Sequence, residues 1–535
     1  MNESLLAYVP LDRRRALARG EALPERTSGS ALFADVSGFT PLTEALVREL
    51  GAQRGAEELT GFLNEVYDAL VNELHRWGGS AIAFAGDAVT CWFDGDDGLL
   101  ATACAMAMQQ AMGAFAAVET PKGTTIELSM KAAVAVGPAR RFLVGDPNSR
   151  VIEALAGATL ERLAAAEHEA DRGEVILAPC AAESLAQRVL VDEVRVADDG
   201  RVFTVIDRLM VAPDLPQFPE LAIENLREEE IRNWLLPAVY RRLDRGMGDF
   251  LAEIRSTVAV FVRFSGIDYD REEDAGAKLD TIIRAVQEIV DRYEGTLIDL
   301  NIGDKGSYLY VNFGAPLTHE NNAARAASAA LEMRDLPETL TFMDPLQIGI
   351  TQGRMRAGAY GGTAHRTYGV LGDAVNLSAR LMMASEPGSV LAHEDVLRQI
   401  EELFEWQVLQ PIRVKGKSEP QSVAVLKAIK PRIGMHLPES DESEPLVGRD
   451  AEVEQLTRVM DGVLNGKGHV VSIVGEAGLG KSRMVAKALA MAGKRDFQIY
   501  GGEAESHGVN SSDLVWHPIV RGVLGLNPMR SKAEQ

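Results

Sequence analysis

The sequence predicts an α+β chain of two similar domains in tandem, followed by the start of a third domain of α/β type. Three observations carry this. From Ser28 to Val211, apolar runs suited to strands alternate with amphipathic, helix-like stretches. Beyond Val211 the pattern starts again: STVAVFVRFSGID (Ser256–Asp268) echoes SALFADVSGFT, and GTLIDLNIGDKGSYLYVNFG (Gly295–Gly314) echoes GGSAIAFAGDAVTCWF. Near the C-terminus an apolar segment, HVVSIVG, runs into GEAGLGKS and then a helix-like stretch. Helices alternating along one mostly antiparallel sheet make each repeated domain ferredoxin-like.

In chain order, residues 1–27 form an N-terminal helical segment, with a helix expected over Leu5–Gly20. The first domain (28–211) reads as a strand (Ser30–Val36), helices (Pro41–Leu50 and Ala56–Trp77) and a hairpin around Gly86-Asp87. A long helix (Gly98–Val118), a strand (Ile126–Val136) and a helix (Ala158–Arg172) follow. Residues 212–254 are a linker and helix, opened by the Pro-rich VAPDLPQFP. The second domain covers 255–430, an acidic Pro-containing linker 431–445, and the third domain 446–535.

The net charge of −23 disfavours nucleic acid and anionic membrane as partners. Three cysteines without a CxxC pair suit a reducing compartment and exclude a zinc ribbon. Leu99–Val118 lacks charge but is Ala-rich with two Gln, which marks a buried helix rather than a membrane span. With no secretory apolar core at the N-terminus, a cytoplasmic location is expected.

ALFADVSGFT (Ala31–Thr40) reads as a strand ending at Asp35, then a corner at Gly38 leading into a helix. Such a corner presents the backbone amides of Ser37, Gly38, Phe39 and Thr40 to an anion. FAGDAVTCWF places Asp87 on a tight turn between two strands. Either aspartate alone reads as a turn cap. Two carboxylates beside a phosphate-cradling corner suit a two-metal phosphoryl-transfer site.

FADVSGFT followed by FAGD resembles the metal-binding half of a class III nucleotidyl cyclase catalytic domain. Two such domains before an NTPase region are similar to the soluble, bicarbonate-responsive adenylyl cyclases. The resemblance implies two Mg²⁺ or Mn²⁺ ions held by Asp35, Asp87 and the Val36 carbonyl, with Lys131 on the terminal phosphates. It places a ribose-orienting Asn376 and a transition-state Arg380 in LGDAVNLSAR, one turn apart on a helix face. Lys305 falls where adenylyl cyclases carry the lysine that donates to adenine, next to Val370, whereas Gly369 stands where Asp or Thr is usual.

Laid over each other, the copies have lost opposite things. Asp35 faces Arg263, Asp87 faces Leu309, Arg162 matches Arg380 and Ala158 replaces Asn376. The pair is therefore expected to form a pseudo-heterodimer with one complete cleft and one degenerate cleft, catalytically sufficient as a monomer. The degenerate cleft is the candidate site for bicarbonate or another small regulator. Arg162 is present there, as regulator contact or salt-bridging remnant, but the lysine expected at position 83 is Ala83, which weighs against bicarbonate control.

In the third domain Gly475, Gly480, Lys481 and Ser482 match a P-loop. No apolar strand ending in acidic residues follows to complete it, so ATP hydrolysis there is not expected. The leading expectation is a soluble adenylate cyclase acting on ATP. Its rivals are a guanylyl or relaxed-specificity cyclase, and a silent cyclase-homology sensor that regulates the NTPase region.

Overall fold

Each repeat folds into an eight-stranded sheet of the same strand order. In the first the order is Ser80–Ala85, Ala88–Asp94, Arg26–Ser37, Ser129–Val144, Val175–Leu177, Val202–Leu209, Val189–Val196, with Ile152–Ala156 paired to Ser129–Val144. In the second it is Thr296–Gly303, Gly306–Phe313, Glu253–Phe264, Gln347–Gly361, Ser389–His393, Val423–Ile429, Phe404–Val408, with Arg366–Leu371 paired to Gln347–Gly361. One parallel pairing per sheet interrupts an otherwise antiparallel ladder. The computed structural model describes residues 3–247, 253–303, 306–319, 321–415, 417, 419–430, 448–475, 479–495, 497–502 and 516–524. It divides into two units, Met1–Ile429 and Lys430–Gln535.

The duplication holds residue by residue. Phe33 lies opposite Ala133 and Phe261 opposite Gly349; Asp35 lies between Ala88 and Lys131, and Arg263 between Tyr308 and Gln347. Both faces of the first sheet are covered. Leu32, Ala34 and Val36 pack with Leu42, Leu46, Tyr67 and Leu70 of the helices Phe39–Leu50 and Ala52–Arg76, whereas Ala31 packs with Leu160 and Leu163 of the helix Ala158–Glu169. A strand buried on both faces needs a continuous apolar run, and ALFA supplies it.

The two halves meet through pseudo-equivalent buried arginines. Arg140 and Arg356 hold the same register position, opposite Ala156 and Leu371. Arg140 donates to the carbonyls of Tyr269 and Glu272, and Arg356 Nε donates to Thr60 Oγ1 at 2.9 Å. The loop after Gln347–Gly361 docks on the first half, where the Thr363 amide donates to Asp68 at 2.5 Å. Tyr360 and the Leu371 side chain complete the first half's core.

Several expected elements change. The N-terminal helix is split into Glu3–Leu6 and Leu11–Arg19, because Pro10 has no amide to continue it and instead opens the second piece. The long helix stops at Met112, and Val118–Glu119 becomes a short strand paired with Thr125–Ile126. The strand expected over 126–136 is Ser129–Val144, which extends beyond the sheet core to carry Ile152–Ala156. In the linker, the Phe218 ring lies 3.6 Å beneath the Arg15 guanidinium.

The second unit contains the helices Asp450–Leu464, Lys481–Gly493 and Trp516–Val523. HVVSIVG is not a strand. Val470 and Val474 are 100% and 88% exposed, and no described strand of that unit lies beside them to pair with or bury them. The 431–445 linker lies outside the described residues. No described helix is long and apolar enough to cross a membrane.

Candidate active site

Arg26–Ser37 is the central strand that delivers Asp35, and Gly38 turns it into the helix Phe39–Leu50. Gly38 has φ +111°, and a Cβ there would stand 2.4 Å from the Glu127 carbonyl, so only glycine closes this corner. Phe39 is buried in the core and Thr40 is exposed, so what the corner offers a ligand is its first-turn amides. Gly86 and Asp87 are the two turn residues between Ser80–Ala85 and Ala88–Asp94, Gly86 supplying the positive φ of +70°. The Val36 amide donates to the Asp87 carbonyl at 3.1 Å, which brings the strand end and the hairpin tip together.

Tyr67, which sequence reasoning missed, locks this arrangement. Its hydroxyl donates to the Gly86 carbonyl at 3.0 Å, and its ring packs edge-on against Phe84 and beside Tyr360 of the other half. Burial first, then the nearby Tyr360, Asp87 and Asp35, hold the phenol well above its ordinary pKa. Asp87 is exposed overall, yet the protein packed about it raises its carboxyl above the usual range, and no basic side chain opposes this. A carboxylate so crowded, without a protein cation, fits a metal ion. Among the described residues no third His, Cys, Asp or Glu joins the pair, so further ligands would be backbone, water or substrate oxygens.

Lys131 lies directly opposite Asp35, but its ammonium pairs with Glu167, 2.5 Å from Oε1 and 3.1 Å from the carbonyl oxygen. Both contacts lie within the first half. Arg263, at the position of Asp35, donates to Gln347 Oε1 at 2.9 Å. The residue facing Asp87 needs correction: Leu309 pairs with Val262 as Val89 pairs with Ala34, which places Ser307 at the Asp87 position. The hairpin of the second copy is two residues longer on each side, an insertion that an ungapped overlay of the echoing stretches does not register.

Asn376 and Arg380 sit on the outer face of the helix Asp373–Ala384, exposed and half-buried, above a buried face of Val375, Leu377, Ser378 and Leu381. Among the described residues no hydrogen bond or ion pair holds the Arg380 guanidinium, and none links either residue to Asp35 or Asp87. The match of Arg162 to Arg380 also needs correction. The two helices start after equivalent positive-φ glycines, Gly157 and Gly372, which sets Glu161 against Asn376 and Ala165 against Arg380. Arg162 is no salt-bridging remnant either, since its guanidinium lies over Gly137 and forms no ion pair among the described residues.

Gly369 has no room for the usual Asp or Thr: a Cβ would stand 2.4 Å from Tyr360 Cε1. The Val370 carbonyl accepts from the Tyr310 hydroxyl at 3.2 Å. Lys305 lies outside the described residues. In the second unit Lys481 Nζ turns back onto the Gly475 carbonyl at 2.8 Å, Gly480 has φ +82° and caps the helix that Lys481 and Ser482 begin, and 476–478 lie outside the described residues.

Between the halves, Asp299 occupies the position that Ala83 holds in the first copy. Burial pushes its carboxyl up to about 7, against the weaker opposing pull of Arg150. Burial likewise lowers Arg150, so desolvation outweighs attraction on both sides. The folded chain thus holds a proton between the ordinary 3.8 and about 7 that the unfolded chain releases. Stability from this group is complete below 3.8 and lost as pH rises toward 7. In Asp299→Asn, the unfolding free energy relative to wild type should therefore rise by about 3–4 kcal/mol between pH 4 and pH 8. Denaturant midpoints at both pH values check this, and a pH-independent difference would refute it.

Residues 261–427 match the family described as adenylate and guanylate cyclase catalytic domain, and residues 445–526 the AAA ATPase domain. The chain is 24% identical to adenylate cyclase type 10 of Mus musculus over 517 residues, covering 89% of this chain and 32% of that one. It is 23% identical to the Homo sapiens protein, covering 96% and 34%. It spans about a third of the length of these relatives. Among solved structures, a class III adenylyl cyclase-like ATP-binding protein from Pseudomonas aeruginosa is 14% identical, with a TM-score of 0.47, covering 73% of this chain and 90% of that one. The chain is thus similar to adenylate cyclase type 10 along most of its length, with a match to a cyclase catalytic domain in its second half-repeat followed by a match to an AAA ATPase domain.

Proposed function

We propose that the chain is an adenylate cyclase that converts ATP to 3′,5′-cyclic AMP and pyrophosphate in one cleft between its two halves. The observation that carries this reading is the division of parts: only the first half has the paired Asp35 and Asp87, and only the second has Asn376 and Arg380 on an open helix face. Two divalent cations held by Asp35, Asp87 and the Val36 carbonyl would neutralise the triphosphate and acidify the ribose 3′-hydroxyl. The amides of Ser37–Thr40 bind phosphate oxygens at the helix start. Asn376 orients the ribose. Arg380 stabilises charge at the α-phosphate as the 3′-oxygen attacks and pyrophosphate leaves. Lys131, already neutralised by Glu167, would reach the terminal phosphates only by exchanging that partner.

Lys305 would donate to an adenine ring nitrogen, a contact that guanine, protonated at N1, does not offer. The Tyr360 ring behind Gly369 favours a second reading of relaxed base choice, because it removes the side chain that usually supports this selection.

The test is product formation by the purified chain, with ATP and GTP supplied separately and Mg²⁺ or Mn²⁺ present. Cyclic AMP from ATP, moving toward cyclic GMP in Lys305→Glu, is expected. Equal use of both nucleotides would favour relaxed specificity. Nucleotide binding without product under any condition would make the pair a sensor. In this reading the cleft needs no second chain.

A further inference from the structure

Three buried aromatic rings meet beside the Gly86-Asp87 turn. Tyr67 comes from the helix Ala52–Arg76, Phe84 from the strand Ser80–Ala85, and Tyr360 from the end of Gln347–Gly361 in the second half. Ring centroids are 5.1 Å apart for Tyr67 and Phe84, 6.1 Å for Tyr67 and Tyr360, and 6.0 Å for Phe84 and Tyr360. Phe84 meets both tyrosines edge-on, a preferred geometry for aromatic pairs. The Tyr67 ring is thus fixed between its own half and the other, with its hydroxyl on the Gly86 carbonyl at 3.0 Å.

The second half also grips the helix that carries Tyr67. Arg356 Nε donates to Thr60 Oγ1 at 2.9 Å, and the Thr363 amide and hydroxyl both donate to Asp68 Oδ1, at 2.5 and 2.9 Å. Thr60 lies about two turns before Tyr67 and Asp68 on one side of the helix. These bonds oppose any sliding or rolling of the helix under Tyr67. Asp87 stands exposed at the turn, so its place is set by the backbone that Tyr67 and the Val36 amide hold.

The second copy supplies the comparison. Helices Ala52–Arg76 and Ala275–Arg292 end at the same distance from the strands that begin at Ser80 and Thr296, which sets Ile283 against Tyr67. Strand register sets Leu300 against Phe84 and Val144 against Tyr360. Ile283, Leu300 and Val144 are all buried, so the demand for apolar packing is met in both copies. At these positions the rings and the hydroxyl occur only beside the hairpin that carries an aspartate, and its counterpart has Ser307. Core packing alone does not account for that distribution.

We propose that Tyr360 is a positioning residue that acts through Tyr67 on the Gly86-Asp87 turn, so that the second half sets the affinity of the first for divalent cations. The inference rests on the reading of Asp35 and Asp87 as cation ligands. Cation sites tolerate little displacement of a ligand, and partners that do not touch the metal are worth about 10- to 100-fold in affinity.

Mn²⁺ affinity of the whole chain without nucleotide, read from the electron paramagnetic resonance of the free ion, tests this apart from turnover. Tyr67→Phe keeps the ring and loses the bond to Gly86, whereas Tyr360→Val removes the ring that the second half contributes. Each should raise the Mn²⁺ dissociation constant about 10-fold. Tyr360→Phe, which keeps the ring, should bind as wild type does. Should Tyr360→Val fold poorly, Tyr360→Leu takes its place. A merely structural role would lower the thermal unfolding midpoint of the metal-free chain and leave the affinity unchanged. Unchanged affinity in Tyr67→Phe and Tyr360→Val, with weaker binding in Asp87→Ala, would overturn the proposal and leave the cyclase reading standing. Binding by Asp87→Ala as tight as wild type would remove the cation reading and the proposal with it.

Discussion

Asp87→Ala should lower cyclic nucleotide formation by at least about 100-fold, because even outer-shell partners of a catalytic metal are worth about 10- to 100-fold. The same change should leave the unfolding midpoint unaltered or slightly raised. Asp87 sits at an exposed turn, receives no basic side chain, and has its carboxyl pushed upward by the protein around it. Its charge is therefore a burden on the folded chain until a cation arrives. Excess Mn²⁺ should raise the midpoint of wild type more than that of the variant, by mass action on the folded state. Loss of activity together with a large fall in stability would make Asp87 a structural turn residue. Full activity in the variant would remove the metal pair from the mechanism.

The hairpin was legible because its determinants are local. Glycine beside aspartate between two apolar runs specifies a two-residue turn without reference to the rest of the chain. The duplication was legible because the two copies keep their echoing stretches in the same order. Three things were not. Tyr67 and Tyr360 sit on apolar helix and strand faces, where an aromatic reads as core, and only packing of the two halves brings them to the hairpin. Asp299 reads as an ordinary polar strand residue, since nothing in TLIDLNIG reveals that the second half turns it toward a closed space.

The third was helix register. An arginine in LERLAA matched one in LSARLMM by residue type, but Gly157 and Gly372 fix where each helix begins. Three residues' difference along a helix rotates a side chain by most of a turn. HVVSIVG shows the converse limit. Its composition suits a strand, but a strand is made by its neighbours, and none of the described residues of its unit supplies one.

Gly349→Ala should destabilise the Met1–Ile429 unit by about 2–4 kcal/mol, combining overpacking with strain on a buried hydrogen bond. Gly349 lies on the strand Gln347–Gly361 beneath the helix Asp373–Ala384. A Cβ there would stand 2.3 Å from the Ser378 carbonyl oxygen and 2.4 Å from the Met382 amide nitrogen. Both are backbone atoms, so relief requires the helix itself to lift. The Ser378 hydroxyl, 2.9 Å from the Gly349 carbonyl and 3.0 Å from that of Ala259, ties the helix flat to the sheet.

The first copy has Ala133 at the corresponding register position and Leu163 where Ser378 stands, so its helix packs without this close approach. Close approach therefore belongs to the half that carries Asn376 and Arg380, and it sets how far those two side chains reach. Ala133→Gly, the reverse change in the other half, should cost only about 0.5–1 kcal/mol, mainly as backbone entropy. Denaturant unfolding of both variants, alongside turnover, separates the cases. Gly349→Ala should lose activity even under conditions where it remains folded, because its helix no longer presents Arg380 at the original height. Equal and small effects of the two substitutions would show that the close approach does not govern the reach of Arg380.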